Sequence, residues 1–304
     1  MATMTDHVRD YLRLRRALGF ELRFEGLVLP QFVAYLEAAG AATITAELAI
    51  AWAQIPVGVH PVTWTNRLGA VRGFATYLRT VDPETQIPPR GVFPGQAKRP
   101  TPYIYTDTDI TGLLEACRTL RPPLRAATYE TLFGLLAVSG MRVGEAIALS
   151  GSEVDLPAGV LTISDSKSRS ARLLPLHPCT VEALSAYTRV RDRHHRAAAT
   201  FFVSTKGTAL RVKTVDATFA RLATAIGLRT ATVKPRIHDL RHSFAVRALL
   251  GWYRDGEDVA TRMPVLSSYL GHTSPAGTYW YMSAVPELMG LAADRLAARD
   301  GSRP

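Results

Sequence analysis

The chain has 304 residues, 47% of them hydrophobic and 20% charged. This composition excludes a disordered chain and permits a sizeable core in one large domain or two ordinary ones. Lys and Arg number 36 against 26 Asp and Glu, giving a net charge of +10 and a pI near 9.9, so an anionic partner is favoured, nucleic acid being the commonest. Two cysteines, Cys117 and Cys179, exclude a disulfide scaffold or a four-cysteine zinc site, and no apolar run reaches the roughly 18 residues of a membrane span.

The first residues, Met1 to Phe20, are charged and lack an apolar signal core, so a reducing cytosol is the expected compartment. Of the basic residues, 31 are Arg and 5 are Lys. The excess of Arg in an Ala-rich chain is also what a composition bias would leave, but the scarcity of Lys makes a Lys within a chemical cluster less of an accident.

In chain order, Val8, Tyr11, Leu12 and Leu18 suit one face of a first helix, with Arg13 and Arg16 elsewhere on it. Residues 26–39 predict a second helix, with Leu29, Phe32, Val33 and Leu36. Thr45 to Ile55 predicts a third, and Pro61 to Thr80 a fourth, with Trp64, Leu68, Val71, Phe74 and Leu78 at helical spacing. This aromatic stripe reads as core. Residues 1–86 are therefore expected to form a four-helix domain. Ile87 to Tyr103 holds five prolines in 17 residues. Proline lacks an amide donor and restricts its predecessor, so 87–103 reads as a linker before a second domain at 104–304.

Beyond it, Thr106 or Asp107 caps a helix to Leu120. A strongly apolar helix follows over Thr128 to Val138, Ser139-Gly140 breaks it, and Arg142 to Leu149 starts another. Gly159 to Ser164 and Arg172 to Leu176 predict a hairpin with the turn Asp165 to Ala171, and Thr200 to Ser204 a third strand. Helices are expected near 213–226, 238–250, 258–269 and 276–298. The fold class is mainly α with a small β-sheet.

Four segments carry chemistry. Arg142 sits at a helix start with Glu145 three residues on, which is either a surface ion pair or an arginine held to meet a phosphate with its planar fork. Lys167 lies in the hairpin turn with Arg169 and Arg172 nearby, either solvated or delivered to a DNA groove, where an ammonium can also donate a proton. His238 and Arg241 share a helix face. His238 and His242 also have zinc-helix spacing, but Asp239 stands where a zinc peptidase needs Glu, and no convincing third ligand follows. His272 follows Gly271, a residue suited to end a helix, and Tyr281 lies nine residues further on, beside Tyr279 and Trp280. A packing patch accounts for any one of these aromatics. Together, two Arg, one Lys, two His and one Tyr can stabilise and attack a phosphodiester, because fixed cations favour both a phenolate and a pentacoordinate phosphorane.

The order of these residues resembles that of the tyrosine recombinases of the phage integrase family. The layout matches across both domains, and the specific motifs lie within 139–285. Arg142 and Glu145 stand in a Gly–x–Arg–x–x–Glu box, Lys167 in a hairpin eight residues before Pro175, His238 and Arg241 in HDLRH, His272 in Leu-Gly-His, and Tyr281 at the family distance beyond it. The resemblance implies an N-terminal four-helix SAM-like core-binding domain and a C-terminal catalytic domain that close as a clamp on double-stranded DNA. It implies that Tyr281 attacks the scissile phosphate and forms a 3′-phosphotyrosine, with no ATP. Lys167 would protonate the 5′ oxygen, Arg142 and Arg241 would hold the non-bridging oxygens, and His238 would position or deprotonate the nucleophile. His272 would hydrogen-bond the phosphate, and Glu145 would orient Arg142. No cofactor and no metal are expected. The implied assembly is a homotetramer in a DNA synapse, with room for accessory recombination proteins. Residues 286–304 resemble the tail that docks on a neighbouring protomer, or else pack within their own chain.

Integration or excision of a mobile element is the leading role, and the sequence does not separate it from transposition. Alternatives are chromosome- or plasmid-dimer resolution by the same chemistry, or a non-catalytic DNA-binding protein of the same fold. Type IB topoisomerases use a related set, but the two-domain layout and HDLRH favour the recombinase. A two-metal nuclease would need clustered carboxylates, and Glu145 and Asp239 sit in cationic boxes.

Overall fold

A computed structural model describes residues 3–94, 101–164, 171–272, 274, 276–284 and 286–300. The chain divides into two compact units, Met1–Pro100 and Thr101–Pro304.

The first unit carries α1 (Met4–Ala17), α2 (Arg23–Ala38), α3 (Ala46–Gln54) and α4 (Pro61–Leu78). Short polar residues set the helix starts. Thr3 and Asp6 form a capping box at α1, the Thr45 hydroxyl accepts from the Leu48 amide at α3, and His60 caps α4 ahead of Pro61. Leu29, Phe32, Val33, Leu36, Trp52, Val71, Phe74 and Leu78 are buried together. Leu18 departs from the expected face. It lies beyond the end of α1 and is exposed. The front of the proline-rich stretch is held to this unit, because Arg72 donates from Nε to the Pro88 carbonyl at 2.8 Å and from Nη2 to Pro89 at 2.6 Å. Phe93 packs against Trp64 with ring centroids 5.8 Å apart.

The second unit opens with α5 (Asp107–Arg118), capped by Thr106 and Asp109, then α6 (Pro123–Ser139) and α7 (Val143–Ala148). Strands β1 (Val154–Asp155), β2 (Val160–Ser164) and β3 (Ala171–Pro175) form an antiparallel sheet in that order, with Val160 opposite Pro175 and Ser164 opposite Ala171. Then come α8 (Pro178–His195), α9 (Val212–Ala225), α10 (His238–Arg254), α11 (Val259–Leu270), α12 (Ala276–Ala284) and α13 (Pro286–Asp300).

Three expectations need correction. The third strand of the sheet is Val154–Asp155. The run at 200–204 contributes a single bridge, Val203 to Ala209, and its aromatics fill the core instead. Helix α8 was not anticipated. The stretch expected as one helix over 276–298 is two, α12 and α13, and the second starts at Pro286, which has no amide to continue the first. The main core lies among α5, α6, α8, α9 and the sheet. A smaller cluster joins α10, α11, α12 and α13 through Val246, Leu249, Leu266, Leu270, Tyr281 and Leu288. Among the described residues, no helix is long and apolar enough to cross a membrane.

Candidate active site

Helix α6 stops at Gly140, whose φ of +61° is left-handed and favours glycine. The chain turns there, and Arg142 becomes the residue before α7. Glu145 grips it twice. The carboxylate receives the Arg142 amide on Oε2 at 2.9 Å and Nη1 on Oε1 at 2.7 Å. The guanidinium also donates from Nη2 to the Gly271 carbonyl at 2.8 Å. Its side chain is 42% exposed, so a face remains open to a ligand.

Arg241 lies one turn into α10 and is only 2% exposed. It donates from Nη1 to the Gly140 carbonyl at 2.8 Å and from Nη2 to the Leu270 carbonyl at 2.7 Å. Each terminal nitrogen uses one hydrogen on a helix-end carbonyl and keeps one. Burial, and then the like charge of Arg142, bring its pKa down to about 10, which leaves it cationic at neutral pH.

The rings form a chain. His238, the first residue of α10, meets His242 with centroids 4.8 Å apart at 88°, and His242 meets Tyr281 at 5.4 Å. His272 stacks on the other side of Tyr281 at 6.1 Å and 26°. The Nδ1 of His272 lies 2.7 Å from the hydroxyl of Thr278, which is itself buried. Tyr281 is 2% exposed and Tyr279 is 55% exposed, so of the two tyrosines in α12 it is Tyr281 that faces the histidines.

Titration follows the packing. His238 keeps an accessible edge, but desolvation and then Arg241 lower its pKa below the usual 6.5. The neutral form that can accept a proton therefore dominates at neutral pH. Desolvation, and then His238, push His242 down to about 4. Its buried Nδ1 has no hydrogen-bond partner among the described residues.

Of the residues singled out in the sequence, Arg142 and Arg241 reach carbonyls at the α11 terminus, Glu145 is bonded to Arg142, and His238, His272 and Tyr281 belong to one chain of rings. Lys167 lies outside the described residues, though the strands on either side of it are described. Two residues went unrecognised as part of this cluster. His242, the last letter of HDLRH, has zinc-ligand spacing in the sequence, but its ring meets Tyr281. Arg172 reads in the sequence as a cation near the hairpin tip, but it is mostly buried against Glu145.

Gly140 is a sensitive point of the site. A Cβ there would lie 2.5 Å from Phe244 Cδ1 and 3.1 Å from Leu270 Cδ2, on a backbone that L-residues avoid. Gly140→Ala is expected to destabilise the protein by about 2–4 kcal/mol in urea denaturation. Gly144→Ala, with nothing within 4 Å and a helical backbone, is expected to be neutral or slightly stabilising.

The pattern of the phage integrase family matches residues 105–287. A putative integrase/recombinase of Sinorhizobium fredii, y4rB, is 45% identical over 98% of each chain. The tyrosine recombinase XerC of Rhodospirillum centenum is 33% identical over 72% of this chain and 57% of its own. Among solved structures, the XerH site-specific recombinase in a post-cleavage complex with difH superposes with a TM-score of 0.68 at 20% identity, covering 96% of this chain and 84% of that one. The Tn1549 transposon integrase with a circular intermediate DNA gives 0.67 at 16% identity, over 92% of this chain and 95% of that one. The match to the family pattern over more than half the chain, and the full-length similarity to y4rB, mean that this chain belongs to the phage integrase family of tyrosine recombinases.

Proposed function

We propose that this protein is a site-specific DNA recombinase that breaks and rejoins duplex DNA through a covalent 3′-phosphotyrosine at Tyr281, serving the movement of a mobile element. The observation that carries the reading is the set of rings and guanidinium groups described above. A buried tyrosine meets the rings of both His272 and His242, and Arg241 and Arg142 are anchored on the carbonyls at the end of α11.

In the proposed chemistry each residue has one role. The Tyr281 oxygen attacks phosphorus, its proton passing to or being held by His238, and the bond to the 5′ oxygen breaks as Lys167 supplies a proton. Arg142 and Arg241 stabilise charge on the non-bridging oxygens, with His272 donating a further hydrogen bond. Phosphodiester energy is kept in the tyrosyl link, so a 5′ hydroxyl from another strand reverses the step without ATP. Two strand exchanges between two duplexes call for four protomers, hence a tetramer in the synapse, working in the cytoplasm on its DNA. The excess of arginine supplies phosphate contacts, which give affinity rather than sequence preference. The mobile-element role is supported by the similarity to y4rB, a putative integrase/recombinase, and to a transposon integrase.

The test is to incubate the protein in EDTA with nicked duplexes tiled from DNA flanking its coding sequence and to look for a detergent-resistant adduct. A full yield of adduct in EDTA is expected. Strict dependence on a divalent ion overturns the mechanism. Tight binding to a duplex with no adduct favours a non-catalytic DNA-binding member of the family.

A further inference from the structure

Glu145 serves two arginines. Besides its two bonds to Arg142, its Oε2 receives Arg172 Nη2 at 2.6 Å. Arg172 comes from β3, and its Nε donates to the Tyr269 carbonyl at 2.9 Å. Three successive carbonyls at the end of α11 therefore each receive an arginine: Tyr269 from Arg172, Leu270 from Arg241 and Gly271 from Arg142. A helix end exposes such unsatisfied carbonyls and is attractive to cations. The Arg172 side chain is 17% exposed, as is that of Glu145. The backbone closes over it so tightly that a Cβ on Gly271 would lie 2.7 Å from Arg172 Nη1. Two of its three guanidinium nitrogens are thus committed within the protein, Nε to the Tyr269 carbonyl and Nη2 to Glu145.

We infer that Arg172 is a positioning residue for strand cleavage: it fixes the Glu145 carboxylate against the α11 terminus, and so holds Arg142 in the orientation that meets the phosphate. This rests on the strand-cleavage reading above. Glu145 must be ionised to hold Arg142 on both oxygens. Burial opposes ionisation. The hydrogen bond from Arg172 is the strongest influence in the other direction, followed by the Arg142 amide, and the carboxyl ends below its ordinary 4.5. Among the described residues, the charged groups facing it are Arg142 before α7, Arg172 on β3 and Arg241 on α10. Without Arg172, desolvation remains and the pKa of Glu145 rises. The carboxyl then takes up a proton at higher pH and releases part of its hold on Arg142.

The test compares wild type, Arg172→Gln and Arg172→Lys in single-turnover cleavage of a nicked duplex, across pH and at saturating protein. In Arg172→Gln, cleavage at neutral pH is expected to fall about 10- to 100-fold, with duplex affinity within about twofold because the bonds that Arg172 loses go to the protein. The acid limb of its rate profile moves to higher pH. Arg172→Lys returns a charge to Glu145 and is expected to move the limb back towards wild type with an intermediate rate, since an ammonium cannot serve both acceptors in one plane. Wild-type rates in Arg172→Gln overturn the inference, as does a slowing shared equally by both variants with an unshifted limb, the mark of a merely structural role. Wild-type protein is scored separately. If it forms no adduct, the cleavage reading falls and the inference falls with it.

Discussion

Tyr281→Phe is expected to remove the covalent adduct altogether, a loss on the order of 10⁴-fold or more, as for deletion of a nucleophile that acts in concert with its neighbours. Tyr279→Phe is expected to keep the adduct within about threefold. The two side chains stand two residues apart on α12, and burial separates them. Tyr281 is covered by His272, His242 and Trp280, whereas Tyr279 is 55% exposed on the other side of the helix. The phenylalanine keeps the ring that these neighbours pack against, so loss of folding does not explain the loss of chemistry. The change in stability should stay within about 1–2 kcal/mol, the scale of one hydroxyl's hydrogen bonding. The measurement is the yield of detergent-resistant adduct for each variant, beside its melting temperature. An adduct retained in Tyr281→Phe and lost in Tyr279→Phe would move the nucleophile by two residues and leave the ring chain around Tyr281 as packing alone.

What could be read from the sequence was what is encoded locally. Gly140 and Gly271 end helices because left-handed backbone favours glycine, and each places the next box, Arg142 or His272, at a turn. HDLRH opens α10, so its first residue and its arginine share a face by helical spacing alone. The features that escaped depend on distant partners. Helix α8 buries only Leu184 and Tyr187 along its 18 residues, too sparse a stripe to announce a helix. Strand β1 is two residues long, below the length at which alternation carries information. Phe201, Phe202 and Val203 look like a strand because they are apolar, yet they are apolar in order to fill the core beside Tyr187. Arg172 and His242 were missed for a common reason. Their significance lies in what they touch across the fold, a helix-end carbonyl and a carboxylate for one and the Tyr281 ring for the other. A carbonyl that accepts from an arginine leaves no trace in the sequence.

The two arginines proposed to hold the phosphate should separate when stability and activity are measured together. Arg241→Ala leaves the Gly140 and Leu270 carbonyls without their donors in a region closed to water. Each orphaned acceptor costs roughly 1–3 kcal/mol, so about 2–5 kcal/mol is expected to be lost, lowering Tm by roughly 5–15 °C. Arg142→Ala should cost less, about 1 kcal/mol, because its side chain is 42% exposed and water can replace part of what it donates. Both should slow cleavage by about 10²–10³-fold or more when assayed below the melting range of each variant, the usual effect of removing a donor to developing charge. Arg241→Lys keeps the charge but can reach only one carbonyl well, so it should recover part of the stability and little of the rate. Near-wild-type melting in Arg241→Ala would show that the two helix ends find other donors, and that this buried guanidinium is not what joins α6 to α11. Equal melting losses for the two alanine variants would show that exposure does not distinguish their structural parts. With the expected outcome, one arginine links the ends of α6 and α11 and also carries charge to the phosphate. Of these two arginines, only Arg142 can then be removed without a large loss of stability.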